Sequence, residues 1–549
     1  MFSKKEGIIQ KDLPIQAQTE DWYDSKRLTP EKLDLALEIL EEIRAGETVM
    51  EAVRHHPLQV PGGGYVGKSV LVTVYREMIE NGAWDEDPEL LAAIRMKPMR
   101  TLSGVTVVTV LTKPYPCPGK CIFCPTDYRM PKSYLPDEPG AMRALHHDFD
   151  PYDQVAARIE ALESVGHPTD KIELLVLGGT WSSYPRDYQE WFIQRLFEAM
   201  NGIESETLSA AQALNESTTH RNVGLVIETR PDHVDPDELA WLRYLGVTKV
   251  QMGAQSFDDH ILALNHRGHD VHTTRRATAL LRAAGFKIVL HWMPNLLGAT
   301  PQSDRRDFAK MWQGYCPDEI KVYPNQLLEN AELYAYWQRG EFQPYSTQDL
   351  LDLVCDIKPT IPRYCRVNRI IRDIPSTNVI AGNKRTSLRM DVHAELKRRG
   401  THCACVRCRE VRGRSVAVEN LRMVDLAYAA DGAVEHFLQF VTPQDRLAAF
   451  LRLSLPQDHS PETGLDDLHK AAIIREVHVY GQSIEVGDEQ AGAAQHIGLG
   501  TKLIEQAHAL AQVNGFERLA VIAAVGTRKY YAGRGFEMGD LYMIKKVSP

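Results

Sequence analysis

The sequence predicts an α/β chain: a helical N-terminal region, a partial (β/α) barrel, and a second, smaller α/β unit at the C-terminal end. Three observations carry this. Strand-length apolar runs recur between residues 105 and 323 with helix-length amphipathic segments between most of them, which calls for a parallel sheet with right-handed crossovers. The segment before them has helical periodicity. The segment from residue 418 returns to strand-like runs and closes on a glycine turn that opens a helix.

In the N-terminal region (1–93), Thr29-Pro30 is an N-cap followed by proline at the first helical position. Leu33, Ala36, Leu37, Leu40 and Ile43 share one face, and Gly46 supplies the stop. Gly62–Ser69 then matches the phosphate-loop pattern G-x4-G-K-S. That loop needs a buried strand before it, and residues 54–61 (RHHPLQVP) are polar and proline-broken, so the stretch reads instead as a glycine turn before a helix. Arg54, Lys68 and Arg76 are then available to phosphate groups of a larger ligand, and Arg95, Lys97 and Arg100 extend that basic surface.

The barrel is assigned to residues 94–325, with strands at Val105–Leu111, Ile172–Leu177, Val223–Ile227, Val247–Met252, Ile288–Met293 and Ile320–Tyr323. Such a barrel carries its site at the carboxyl ends of the strands. After the first strand comes Cys117-Pro118-Gly119-Lys120-Cys121-Ile122-Phe123-Cys124. Three soft thiolates on one loop suit three irons of a cubane cluster and leave the fourth iron open. A zinc loop is the competing reading, but it lacks a fourth ligand nearby. The C-x3-C-x2-C spacing resembles that of the radical S-adenosylmethionine (SAM) superfamily, in which the open iron chelates SAM. Gly178-Gly179-Thr180, Glu228 and Gln255-Ser256 end the second, third and fourth strands. With SAM as ligand, the glycines admit the methionine amino group, Glu228 holds the ribose hydroxyls, and Gln255 and Ser256 offer polar groups.

Residues 326–417 read as a basic linker. From Gly382 to Arg414 there are ten Lys/Arg against three acids, in a chain of net charge −10. Lys384, Arg385 and Arg398 lie within it, and this contrast points to nucleic acid. Cys403, Cys405 and Cys408 within six residues point to a structural zinc. Cys316 is the expected fourth ligand, with His402, Cys355 and Cys365 open as alternatives.

In the last segment (418–549), Gln495-His496-Ile497-Gly498-Leu499-Gly500-Thr501 opens a helix. The exposed N–H groups of such a turn suit a pyrophosphate. A strand and Tyr530-Tyr531-Ala532-Gly533-Arg534-Gly535-Phe536 follow. Together these resemble the acetyl-CoA-binding core of the GCN5-related acetyltransferases, with Tyr531 placed to protonate the departing thiolate. Composition adds limits. Of 549 residues 44% are hydrophobic and 25% charged, Met1–Glu20 has no apolar run, and no segment approaches a membrane span, so a cytoplasmic protein is expected. The nine clustered cysteines fit metal binding rather than a disulfide framework.

From about residue 94 onward the chain resembles the catalytic subunit of Elongator, the tRNA wobble-uridine acetyltransferase, in a stand-alone prokaryotic form. The carrying pieces are Pro98–Gly104 (PMRTLSG), the cysteine loop, Asp170–Thr180 (DKIELLVLGGT), Arg475–Gly481 (REVHVYG), Gln495–Gly500 and Tyr530–Phe536. The resemblance implies a [4Fe–4S] cluster on Cys117, Cys121 and Cys124 that reductively cleaves SAM. The 5′-deoxyadenosyl radical then takes hydrogen from the acetyl-CoA methyl, the carbon adds to C5 of tRNA uridine 34, and thioester hydrolysis leaves 5-carboxymethyluridine. It further implies acetyl-CoA contacts from Lys171, Glu476, Val477, His478, Val479, Gln495, Gly498, Leu499, Gly500, Thr501 and Tyr531, with catalytic roles for Lys171 and Tyr531. The anticodon stem-loop would rest on the basic regions, and an external electron donor is required. Eukaryotic members space the first two cluster cysteines by nine residues and lack most of the Cys403/Cys405/Cys408 set, so the zinc is expected to be structural. Two other readings stay open: a protein-lysine acetyltransferase with a structural cluster, and a tRNA-binding assembly subunit.

Overall fold

The computed structural model describes residues 29–58, 64–98, 101–412, 416–480 and 498–547. Two compact units emerge, 1–99 with 160–168, and 100–159 with 169–549.

In the first unit, Thr29 accepts from the Lys32 N–H and caps the helix Pro30–Arg44, and Gly46 leaves it at φ +106°. Helices Val49–His55, Lys68–Glu80 and Pro88–Ile94 follow. Ala36, Ile39, Leu40, Val70, Leu71, Val74 and Ile94 form their common core. The phosphate-loop pattern has the context argued above. Its helix starts at Lys68 after Gly67, and Pro57 makes only an isolated bridge with Tyr65. Gly62 and Gly63 lie outside the described residues.

The second unit carries two sheets. The first is a half-barrel of seven parallel strands in sequence order: β1 (Thr106–Leu111), β2 (Lys171–Leu177), β3 (Arg221–Thr229), β4 (Lys249–Gln255), β5 (Lys287–Trp292), β6 (Glu319–Val322) and β7 (Arg366–Ile370). The six predicted strands match within a few residues. The seventh corrects the linker reading of 326–417: Arg366-Val367-Asn368-Arg369-Ile370 pairs in parallel with β6. Its period-2 alternation places Arg366 and Asn368 toward the barrel interior, where they bond Glu410 and Glu319.

The second sheet is mixed, in the order β13-β14-β12-β11-β10-β9-β8. Its strands are β8 (Arg422–Ala430), β9 (Ala433–Val441), β10 (Leu447–Pro456), β11 (Ala471–Val479), β12 (Arg518–Val521), β13 (Glu537–Met538) and β14 (Met543–Lys546). Helix Leu499–Val513 covers one face, burying Leu499, Leu503, Ile504, Ala507 and Ala511 against Leu451, Leu453 and Ile474. Asn514 caps it, and Gly515 turns away at φ +77°.

Polar groups tie the sheets together. Asp318, just before β6, accepts from Arg475 of β11 at 2.6 and 2.7 Å. Arg475 also reaches Glu435 of β9 at 2.7 Å, and Arg452 of β10 bonds the Tyr364 carbonyl at 2.8 Å. The Tyr542 hydroxyl donates to the Ala284 carbonyl at 2.7 Å. Among the described residues no helix is long and apolar enough to cross a membrane.

Glu238, 8% exposed, sits on the helix Pro236–Tyr244 with its Oε1 unpartnered. Burial pushes its carboxyl up to about 7, against a hydrogen bond from Ser182. An acid whose folded pKa is raised binds its proton more tightly when folded, so it penalises the fold as pH rises from about 4 to 7. Glu238→Gln should therefore be about 1–3 kcal/mol more stable than wild type at pH 8, converging with it near pH 4 in urea titrations at both pH values.

Candidate active site

The loop after β1 places the cysteines at the carboxyl ends of the barrel strands. Its backbone is held from several sides: Ile122 N–H donates to the Asn265 carbonyl (3.3 Å), Leu333 N–H to the Ile122 carbonyl (2.8 Å) and Thr126 N–H to the Asn330 carbonyl (3.1 Å). Cys121 is buried, and Cys117 and Cys124 are partly so. Cys117 Sγ accepts from the Gly119 N–H at 3.4 Å and lies 3.6 Å from Thr180 Oγ1. Arg267 Nη1 donates to Cys121 Sγ at 3.6 Å. A hydrogen bond with Cys124 holds the Cys121 thiol down, to about 5, helped by Arg267 and Arg230 and opposed by burial.

The residues expected to meet SAM stand at the strand ends, Thr180 among them within 3.6 Å of Cys117 Sγ. Gly178 has φ +152°, and a Cβ there would collide with the Thr112 hydroxyl, so only glycine fits. Gly178→Ala is expected to cost about 2–4 kcal/mol, seen as a lower urea midpoint. Gly179 has open space beside it and Thr180 is buried. Glu228 accepts from the Tyr134 hydroxyl (3.0 Å) and meets His291 Nδ1 at 3.2 Å, which leaves lone pairs for a ligand. His291 also meets Gln251 at 3.0 Å, and burial keeps its imidazole neutral by lowering its pKa far below the usual range. Gln255 stands at φ +71° with its buried Oε1 unpartnered. Ser256 is different: its hydroxyl donates to Asp307 at 3.1 Å, which makes it a structural residue of the strand end.

Below this level the barrel interior is charged rather than apolar. Lys249 pairs with Glu173 (2.7 Å) and Glu319 (3.7 Å), and Lys287 pairs with Glu319 (2.6 Å) and with Glu476 of β11. Arg366 Nη1 reaches the Tyr480 hydroxyl at 3.1 Å. The amino ends of the strands thus meet the face of β11 that carries Glu476, His478 and Tyr480. The Glu476 carboxylate is taken by Lys287 and Arg452. His478 stacks on Phe450 and meets the Tyr480 ring at a tilt, its Nε2 buried without a partner among the described residues. Lys171 opens β2 at this same end, 3.8 Å from Asp170, and burial lowers its pKa.

In the second sheet β12 pairs with β11 only from Ala471 to Ile474, whereas β11 runs on through Val477 to Val479. Gly498 stands at φ +67° before the helix that starts at Leu499. A Cβ on Gly500 would collide with the Tyr530 hydroxyl. Arg534 lies 3.6 Å over the Tyr530 ring and donates to Thr501 Oγ1 at 3.1 Å. Tyr530 and Arg534, not Tyr531, therefore line the helix N-terminus. Tyr531 is buried against Phe536, and burial raises its pKa. Gln495 lies outside the described residues.

Residues 115–310 match the family described as the radical SAM superfamily, and residues 317–398 match the Radical_SAM C-terminal domain. A protein named tRNA uridine(34) acetyltransferase from Dehalococcoides mccartyi is 41% identical over 82% of this chain and 99% of its own length. Elongator complex protein 3 of Danio rerio is 35% identical over 83% of this chain and 87% of its own. The solved structure of archaeal Methanocaldococcus infernus Elp3 with an N-terminal deletion aligns with a TM-score of 0.71 at 37% identity, covering 81% of this chain and 99% of that one. The chain belongs to the Elongator complex protein 3 family.

Its radical SAM superfamily membership implies a [4Fe–4S] cluster and SAM. The thiols fit. Four ligands around one zinc bring sulfurs to about 3.8 Å of each other. Among the described residues only Cys403, Cys405 and Cys408 form a group of three or more metal-ligating side chains that close, with ligand atoms within 4.8 Å. Cys117, Cys121 and Cys124 do not all close to within 4.8 Å of one another; Cys121 and Cys124 share a hydrogen bond, and the loop offers three soft thiols, the donor set an iron–sulfur cluster takes. Cys316 does not join the compact trio, which corrects its assignment as fourth ligand. Its Sγ instead points at the Trp312 and Ala429 carbonyls, 3.6 and 3.7 Å away. His402, Cys355 and Cys365 are likewise outside that group.

Several residues expected to meet phosphates have other work in this Elongator-type protein. Lys68 Nζ donates to the Ala93 carbonyl (2.9 Å) and Arg95 Nε to the Gly166 carbonyl (2.6 Å). Arg385 pairs with Asp391 and Arg398 with Glu395. Arg54, Lys97 and Lys384 are exposed, Arg76 is half-buried, and Arg100 and Arg414 lie outside the described residues. The sequence reading missed Tyr134, Arg230, Gln251, Asn265, Arg267 and His291 at the radical end. Period-2 alternation along β4 and β5 was the available signal for Gln251 and His291.

Proposed function

We propose that this protein replaces the C5 hydrogen of the wobble uridine of tRNA with the methyl carbon of acetyl-CoA and hydrolyses the thioester, giving 5-carboxymethyluridine. One methyl hydrogen leaves in 5′-deoxyadenosine as SAM is cleaved, and the C5 hydrogen leaves as a proton and an electron. The observation that carries this is one half-barrel with its cysteine loop at the carboxyl ends of the strands and Lys287 at the amino end paired with Glu476 of the acetyltransferase-like sheet. Relatives named tRNA uridine(34) acetyltransferase support the substrate.

Cys117, Cys121 and Cys124 would hold the cluster, which when bound supplies the electron that cleaves SAM. Gly178 and Gly179 let backbone approach the methionine end of SAM, Glu228 accepts from ribose hydroxyls, and the unpartnered Gln255 Oε1 accepts a further donor. The N–H groups of Leu499-Gly500-Thr501 at the helix start hold the pyrophosphate of acetyl-CoA, and the gap between β11 and β12 receives its pantetheine arm beside Val477, His478 and Val479. Tyr531 protonates the departing thiolate, with Lys171 at the barrel's amino end. Arg54, Arg76, Lys97 and Lys384 contact the anticodon stem-loop. Cys403, Cys405 and Cys408 would hold a structural zinc that fastens the segment after β7. A cytoplasmic electron donor completes the system.

The test is anaerobic reconstitution with iron and sulfide, followed by reductant, SAM, acetyl-CoA and bulk tRNA. The expected result is 5′-deoxyadenosine and carboxymethylated uridine together, with the uridine product lost when acetyl-CoA is omitted. Acetyl-CoA hydrolysis stimulated by tRNA or by a protein lysine, without 5′-deoxyadenosine, would overturn the radical route. Tight tRNA binding with neither product would leave an assembly subunit.

A further inference from the structure

Two buried guanidinium groups stand against the cysteine loop without filling their hydrogen-bonding capacity. Arg267 is 5% exposed and has no carboxylate within 4 Å among the described residues. It donates to the Gly253 carbonyl (2.5 Å) and to Cys121 Sγ (3.6 Å), and its buried Nε has no partner. Arg230, also 5% exposed, is held by Asp232 and by the Arg267 carbonyl (3.0 Å), while its Nη1 is buried and unpartnered. A Cβ on Gly119 would collide with that Nη1 and would lie 3.6 Å from Cys117 Sγ, so the guanidinium sits directly under the loop.

A buried cation without a counter-anion costs several kcal/mol, so an anion is expected where it points. Among the described residues Arg267 has no carboxylate partner and points at Cys121 sulfur, while Arg230, paired with Asp232, sets its unpartnered Nη1 against Gly119 on the Cys117 side of the loop. Three thiolates carrying an iron–sulfur core make a buried anion whose charge grows by one on reduction, and its potential follows local charge and hydrogen bonds to sulfur. We propose that Arg267 and Arg230 form a cationic cradle that sets the reduction potential of the cluster, Arg267 through Cys121 and Arg230 through the Cys117 side of the loop. They are positioning residues for electron entry. The inference rests on the cluster assigned above.

The direction follows from charge: removing a cation makes electron gain harder, so the midpoint falls. The experiment is an EPR-monitored redox titration of reconstituted full-length protein, with iron and sulfide counted in each sample. At the potential where wild type is half reduced, Arg267→Gln is expected to show a reduced-to-oxidised ratio about tenfold lower, a shift of about 59 mV for one electron. Arg267→Lys keeps the cation and should shift far less, and Arg230→Gln should fall in the same direction as Arg267→Gln. A second readout needs no cluster. In the iron-free protein Arg267→Met should leave the thermal midpoint unchanged or raise it, because an uncompensated buried charge is removed, and it should lower the midpoint once iron is loaded. Equal midpoint potentials in wild type and Arg267→Gln, or equal shifts in the Gln and Lys variants, would overturn the proposal. Wild type that takes up no iron would instead overturn the cluster assignment, before any potential is measured.

Discussion

Cys121→Ala is expected to abolish cluster assembly and reduce 5′-deoxyadenosine to background, while costing only about 1 kcal/mol of stability. Cys121 is the most buried of the three loop cysteines and packs with Ile122, Phe123 and Leu297. It is also the thiol that Arg267 contacts and whose pKa falls to about 5 through Cys124. A thiolate at neutral pH is the form that binds metal. Losing it leaves two ligands for a centre that needs three, whereas the small volume change leaves the apolar packing nearly intact. Iron and sulfide content, visible absorbance and 5′-deoxyadenosine should therefore vanish together with little change in the urea midpoint. Cys355→Ala is the matched control: its thiol is buried but belongs to neither cysteine group, so iron uptake should match wild type. An iron-loaded, SAM-cleaving Cys121→Ala protein would sink the assignment.

What the sequence made legible was local. Cysteine spacing, a glycine pair at a strand end and a glycine turn opening a helix each sit within a few residues, and each lies where its pattern placed it. Strands β1–β6 were readable from their apolar runs, near-continuous where both faces are buried, as in β5, and alternating in burial in β2. β7 was not, because Arg366 and Asn368 face a charged interior and look like loop residues until Glu410 and Glu319 are brought to them. Arg267 and Cys121 are 146 positions apart, so nothing local joins them. The same distance effect misplaced Cys316, whose neighbours are the Trp312 and Ala429 carbonyls. Basic residues were over-read for a related reason. A lysine in sequence is a charge, but Lys68 in the fold bonds the carbonyl of Ala93, at the end of the helix Pro88–Ile94. At Tyr530-Tyr531 the adjacent aromatics diverge by about a third of a turn of helix, and only the fold tells which hydroxyl faces Gly500.

Asp318→Asn is the substitution expected to hurt the fold most, by about 3–5 kcal/mol. Asp318 is fully buried and accepts from Arg475 twice and from the Ile288 N–H at 2.8 Å, with Arg452 3.4 Å away. Burial alone would raise its pKa, but Arg475 and Arg452 outweigh it and hold the carboxyl below the usual range. An asparagine keeps the shape but leaves two buried guanidinium groups short of charge, with Glu435 and Glu476 as their remaining acids. A depressed carboxylate pKa contributes stability that is fully present above the unfolded value of about 3.9 and is lost as pH falls below it. Wild type should therefore lose stability on acidification below about pH 4, and Asp318→Asn should have lost that part of its pH dependence. A control separates charge from packing: Asp318→Asn combined with Arg475→Met should recover part of the loss, because the stranded cation goes too. Because this network links the barrel to β9, β10 and β11, the variant should also lower carboxymethyluridine more than 5′-deoxyadenosine, as one needs both sheets in register and the other only the barrel. Equal urea midpoints for wild type and Asp318→Asn at pH 7 would show that the network does not hold the sheets together.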